Sequence, residues 1–154
     1  MQLFDNKSQV LREFTPLVPG KVGIYVCGPT VQSAPHIGHL RSALVYDALS
    51  SWLKESGLEV TLIRNVTDID DKVLEKSQES GVSWWSLAYL NEQVFAAEYR
   101  KLGIALPSNE PRATAHIPQM IALIELLIEK GHAYRALDGS SDVFFDTASW
   151  PSYG

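Results

Sequence analysis

The sequence predicts an α/β fold built around a parallel sheet. Short apolar runs alternate with longer stretches of helical period, which is the pattern of βαβ units. Residues 21–64 hold one such unit complete: KVGIYVC, a loop rich in breakers, a periodic apolar stretch, and LEVTLIR. In such sheets ligands bind outside the carboxyl ends of the strands. That places two loops of interest, Gly28–Pro35 and Asn65–Asp71.

Residues 21–27 read as the first strand of the unit. Ile24, Tyr25 and Val26 are consecutive and apolar, so burial on both faces is expected. From Ile37 to about Ser56 the period is helical: Ile37, Leu40, Leu44, Ala48 and Trp52 recur three or four apart, with Val45, Leu49 and Leu53 beside them. So wide an apolar arc predicts a deeply packed helix, stopped at Gly57. Residues 58–64 form the second strand, with Leu58, Val60 and Leu62 alternating. A run of this kind closes as a right-handed crossover.

The remainder is more helical. Residues 68–80 read as a short helix that begins with acids, its start marked by a capping box at Thr67-x-x-Asp70. Residues 83–102 form another, with Trp84, Leu87, Leu90, Val94 and Ala97 in a stripe. NEPRATAH is expected to be a polar connector. Residues 117–130 make an amphipathic helix with Pro118 in its first turn and Gly131 after its end. HAYRA and DVFFD pair as a hairpin across LDGSS. A sheet of two parallel strands leaves an exposed edge, which natural folds avoid. The expectation is therefore that part of the fold lies beyond residue 154.

Composition narrows the class. Hydrophobic residues make up 45 % and charged residues 20 %, which excludes global disorder. The single cysteine, Cys27, excludes an intrachain disulfide and points to a reducing compartment. No apolar run reaches the roughly 18 residues that span a bilayer. The segment MQLFDNKSQVLREF is charged throughout and has no signal-peptide core. The expected location is the cytoplasm, without a membrane partner. Net charge is −5, from 13 basic and 18 acidic residues, with no basic stripe of the kind that grips nucleic acid.

The stretch richest in chemistry is Cys27-Gly-Pro-Thr30 followed by His36-Ile-Gly-His39. A strand ends, a loop turns, and a helix begins near His36. Helix N-termini attract anions through outward N–H groups and a positive macrodipole. Gly38 has no Cβ and admits close approach. His36 and His39, three apart, face one side of the turn. Two imidazoles, a helix N-terminus and the glycine at 38 suit a phosphate or nucleotide. A rival reading takes Cys27, His36 and His39 as three zinc ligands, although C-x8-H-x2-H matches no standard zinc module. Asp68, Asp70 and Asp71 invite magnesium, but acids also suit a helix's first turn. Trp84 and Trp85 can stack a base or pack in the core, and His116 and His132 flank a helix where they cap or pack.

Four motifs then converge. PHIGH at 35–39, YVCGPT at 25–30, RNVTDIDDK at 64–72 and EPRAT at 110–114 stand in the order found in the cysteinyl-tRNA synthetases, and the chain resembles the N-terminal third of that class I family. The resemblance implies the first half of a Rossmann-like parallel-sheet catalytic domain over residues 1–114. The start of the connective insertion follows at 115–154. It implies ATP-dependent activation of L-cysteine to cysteinyl-adenylate, with Mg2+, and transfer to tRNA(Cys). Cys27 falls on the family's cysteine ligand to a catalytic zinc, the other ligands lying outside this sequence. Thr30 and Thr67 fall on positions that hold the substrate cysteine. Gly28, His36, Gly38 and His39 fall on the ATP-binding signature, His36 and His39 as the catalytic pair. The family suggests a monomer.

The second class I signature, KMSKS, does not occur in these residues. The chain is thus expected to be part of a larger synthetase, and inactive and without tight zinc by itself. Two other readings share its features. One is an ATP-dependent ligase joining cysteine to a small amine. The other is a non-catalytic nucleotide- or partner-binding module that ends at Gly154. The wording of PHIGH and TDIDDK favours the synthetase.

Overall fold

The computed structural model describes residues 1–153; Gly154 lies outside them. The chain divides into two compact units, Met1–Ala113 and the residues from Thr114 onward.

The first unit opens with a hairpin the sequence reading passes over. β1 (Gln2–Asp5) and β2 (Val10–Glu13) pair antiparallel, with Leu3 opposite Arg12. Its turn is organised by the Asp5 carboxylate, which accepts from the Lys7 amide, the Ser8 hydroxyl and Arg12 Nη1. These donors, Arg12 foremost, hold Asp5 down at about 2.

The expected crossover follows. β3 (Lys21–Val26) and β4 (Glu59–Arg64) pair in parallel, Lys21 with Glu59 through Val26 with Arg64. α1 (Ile37–Glu55) connects them. It ends where Gly57 takes φ +85°, a conformation that residues with a Cβ avoid. The expectation that β3 is buried on both faces does not hold. Val22 and Val26 are buried, whereas Tyr25 between them is 66 % exposed. Nor is α1 deeply packed along the anticipated stripe. Ile37, Leu44 and Trp52 are exposed, and the buried residues are Ala43, Ser50 and Leu53. The apolar arc is wider than one sheet face and one neighbouring helix can cover.

The connector is not merely polar. Residues 108–113 run along β4, where Arg64 N–H donates to Asn109 C=O at 3.1 Å and Val66 N–H to Pro111 C=O at 2.9 Å. Val66 also bridges Arg112 in parallel. This segment acts as a third strand, interrupted because Pro111 has no N–H to give. It covers an edge that was expected to be open.

α2 (Asp71–Ser80) and α3 (Trp84–Lys101) complete the unit. The core gathers Val31, Ala43, Val66, Val73, Ala88, Phe95, Tyr99 and Ile104, with Leu40 and Trp84 against it. Trp84 is thus a core residue, while Trp85 stays exposed. The cap of α2 is Asp70, whose Oδ1 accepts from Val73 N–H at 2.9 Å. This corrects the Thr67–Asp70 capping box, since Thr67 lies too far ahead of the helix and bonds elsewhere.

In the second unit a 3-10 turn (Thr114–His116) leads into α4 (Ile117–Glu129), with Pro118 in the first turn. β5 (Ala133–Arg135) and β6 (Val143–Phe145) then form the expected hairpin. His132 packs edge-on against Trp150 and bonds the Ser149 hydroxyl at 2.8 Å. The apolar residues Met120, Ile121 and Ile124 of α4 are exposed.

The Asp70 cap supports α2 alone. Asp70→Ala is expected to destabilise the chain by about 1 kcal/mol, and Asp70→Asn by much less, in urea unfolding.

Candidate active site

Two loops leave the carboxyl ends of β3 and β4 and are bonded together. Thr67 N–H donates to Pro29 C=O at 3.0 Å, and Val31 N–H donates to Thr67 C=O at 3.2 Å. Thr30 and Thr67 form a parallel bridge, so these sequence-predicted residues stand side by side. The Asn65 side chain adds three bonds. Its Oδ1 accepts from Gly28 N–H at 2.8 Å and from the Tyr25 hydroxyl at 3.0 Å, and its Nδ2 donates to Thr67 Oγ1 at 3.1 Å. Gly28 is required by contact: a Cβ there would lie 1.5 Å from the Asn65 carbonyl oxygen.

The turn into α1 is held by its own histidines. His36 is the N-cap in extended conformation, and its Nδ1 accepts from Gly38 N–H at 3.1 Å. The Nδ1 of His39 accepts from His36 N–H at 3.2 Å. The pair forms a reciprocal capping box made of imidazoles, with rings stacked 3.8 Å apart. The His36 ring fills the space above Gly38, where a Cβ would meet it at 2.9 Å. The amides of His36 and Gly38 are therefore satisfied internally, so fewer N–H groups are free at this helix end than a bare helix start would offer. Each Nδ1 presents a lone pair, so in a neutral ring the proton sits on Nε2, and the Nε2–H edge is the available donor.

His39 is the more enclosed ring, set edge-on to Phe95 at 5.2 Å. Burial first, then the neighbouring His36, pulls its imidazole below the ordinary value.

One cleft joins most of these groups. Cys27, Gly28, Gly38, His39, Ser42 and Arg64 are among its lining. Cys27 is exposed and unpaired by disulfide. Arg64 is buried, its Nε and Nη2 both on Glu110 Oε1 at 3.2 and 2.7 Å, its guanidinium 4.3 Å over the Tyr99 ring. Arg112 is paired with Glu92 of α3. The EPRAT segment thereby straps the end of β4 from below. Thr30, Thr67 and His36 are not part of the cleft lining; they adjoin it through the loop bridge and the imidazole stack. No cluster of three His, Cys, Asp or Glu side chains suited to a metal occurs among the described residues. The three-ligand zinc reading from Cys27, His36 and His39 thus finds no assembled site. Asp70 is spent as a helix cap.

The family model for "tRNA synthetases class I (C) catalytic domain" matches residues 13–154. The chain belongs to that family. The cysteine–tRNA ligase of Clavibacter sepedonicus is 63 % identical over 159 residues, a match that takes in 100 % of this chain and 33 % of that protein. The chain thus spans a third of that relative's length. Among solved structures, Mycobacterium tuberculosis methionyl-tRNA synthetase in complex with methionyl-adenylate is 23 % identical with a TM-score of 0.64, over 73 % of this chain and 23 % of that one. The ternary complex of Agrobacterium radiobacter K84 agnB2 LeuRS with tRNA and LeuAMS is 22 % identical with a TM-score of 0.67, over 80 % and 17 %. Both likenesses carry the class I synthetase fold. Asn65 lies within RNVTDIDDK and Glu110 within EPRAT, and neither is among the sequence-predicted site residues. The one legible signal was a short amide placed directly after a strand end.

A histidine whose folded pKa lies below its unfolded value binds fewer protons when folded. His39 is therefore neutral at pH 7, and its effect on stability appears as a loss when pH falls below about 6.5. In an NMR titration its midpoint is expected below that of a free imidazole. In His36→Ala it should rise part of the way back, burial remaining. A midpoint at or above the free value contradicts the enclosed, neutral ring.

Proposed function

We propose that the full-length protein carrying this chain is a cysteine–tRNA ligase. It activates L-cysteine with ATP and Mg2+ to cysteinyl-adenylate and pyrophosphate, then transfers the cysteinyl group to the terminal adenosine of tRNA(Cys). The observation that carries this reading is the cleft in which Cys27 and Gly28 from one strand end meet Gly38 and His39 of the imidazole-capped turn, in a chain of the class I (C) family. In this reading residues 1–114 are the first half of the Rossmann-like catalytic domain, and 115–154 begin its connective insertion. The enzyme works as a monomer in the cytoplasm; no described helix is long and apolar enough to cross a membrane.

In adenylation the cysteine carboxylate attacks the α-phosphorus in line, a P–O bond forms, and the bond to pyrophosphate breaks. The carboxylate is already ionised and needs no base. The enzyme's task is to position groups and stabilise developing charge. His36 and His39 donate through Nε2–H to phosphate oxygens, a role that suits neutral rings whose Nδ1 atoms are held by backbone amides. Gly28 and Gly38 keep the approach to the nucleotide free of side chains. Thr30 and Thr67 hold the amino acid. Transfer then joins the cysteinyl carbonyl to a ribose hydroxyl and releases AMP.

Cys27, an exposed soft thiol at the cleft, fits one zinc ligand, the others coming from outside residues 1–153. Zinc there would bind the thiolate of substrate cysteine and reject the hydroxyl of serine, a distinction that packing alone makes poorly. No feature of the site favours a small-amine acceptor over tRNA.

Cysteine-dependent ATP–pyrophosphate exchange by the full-length protein tests the reading, and its absence would refute it. His39→Ala is expected to lower the exchange rate about a hundredfold, with a much smaller change in the Michaelis constant for cysteine. Normal exchange in that variant would remove the phosphate role. Cys27→Ser is expected to weaken zinc and cysteine binding in calorimetry far more than ATP binding. Equal losses for both ligands would count against the metal assignment.

A further inference from the structure

The Asn65 amide has a determined orientation. Two donors, Gly28 N–H and the Tyr25 hydroxyl, converge on one of its terminal atoms, which must be the oxygen. The other atom is then the NH2 group, and it donates to Thr67 Oγ1. A hydroxyl that receives this bond turns its own proton elsewhere. Among the described residues no protein acceptor takes that proton. Its neighbour two residues earlier thus occupies one lone pair of the Thr67 hydroxyl and leaves the proton for a ligand.

We propose that Asn65 is a positioning residue for amino-acid binding, which makes the Thr67 hydroxyl a donor toward an acceptor group of the bound amino acid. The proposal rests on the ligase reading above and deepens it. A carboxylate or thiolate of the amino acid is matched by this free hydroxyl proton. The same amide oxygen fixes the Gly28 N–H beside Cys27, so the two strand-end loops are locked by one side chain. Losing the donor at Thr67 selectively raises the Michaelis constant for the amino acid.

N65D is the discriminating variant. It keeps the shape and the acceptor for Gly28 and Tyr25, but replaces the donor facing Thr67 with an acceptor. The Thr67 proton then turns inward. In the full-length enzyme, pyrophosphate exchange is expected to show a cysteine Michaelis constant raised about tenfold, with that for ATP little changed. In a T67V background, which has no hydroxyl to orient, N65D should add almost nothing. N65S removes the donor differently and serves if N65D fails to fold; it too should lose its effect in T67V. A cysteine constant unchanged in a folded N65D or N65S overturns the proposal, and so does an equal rise for ATP or an undiminished effect in T67V. Wild-type protein without cysteine-dependent exchange would overturn both this proposal and the ligase reading. Wild-type exchange with an unmoved variant overturns this one alone.

Discussion

Two backbone hydrogen bonds, Thr67 to Pro29 and Val31 to Thr67, join segments more than thirty residues apart in sequence and make one surface of them. The placement of Cys27, Gly28, Thr30 and Thr67 hangs on that seam. It continues the parallel ladder past the ends of β3 and β4, where the strands themselves have stopped. Such continuation demands close backbone approach, and Gly28 against the Asn65 carbonyl is where the approach is tightest. A side chain at position 28 would open the seam and separate Cys27 from Thr67 together.

The seam is rigid because its outer members reach the core. Val31, within the first loop, is fully buried, and Asn91 of α3 donates to its carbonyl at 3.2 Å. On the helix side, Leu40 and Ala43 pack into the same core that His39 touches through Phe95. Cys27, Thr30 and Thr67 thus each sit next to a buried residue, an arrangement that fixes their placement while leaving their polar atoms accessible. The pairing of Arg64 with Glu110 closes the floor without leaving a buried charge unmatched.

Much of this was legible in the residues. The βαβ unit, its boundaries and its parallel pairing follow from periodicity and breakers, because period and punctuation are local properties. The grouping of His36, Gly38 and His39 followed from their spacing on one turn. What escaped was relational. Whether Tyr25 is covered depends on what packs on that side of the sheet, which no run of apolar residues reveals. The strand-like course of residues 108–113 is written in hydrogen bonds to β4, and Pro111 hides it from any strand pattern. The N-terminal hairpin is short, and its register rests on one carboxylate. Asn65 reads as a loop amide until its three partners are seen.

In the proposed function the imidazole capping box would tie anion recognition to helix integrity. Each ring has one nitrogen on a backbone amide and the other turned outward. Donation from Nε2–H to a phosphate pushes electron density across the ring and makes Nδ1 a better acceptor, as bonds in a chain polarise one another. An anion at the outer edge would therefore tighten the first turn of α1, and the tightened turn would hold the rings for the anion. Binding and local order would then reinforce each other through two side chains.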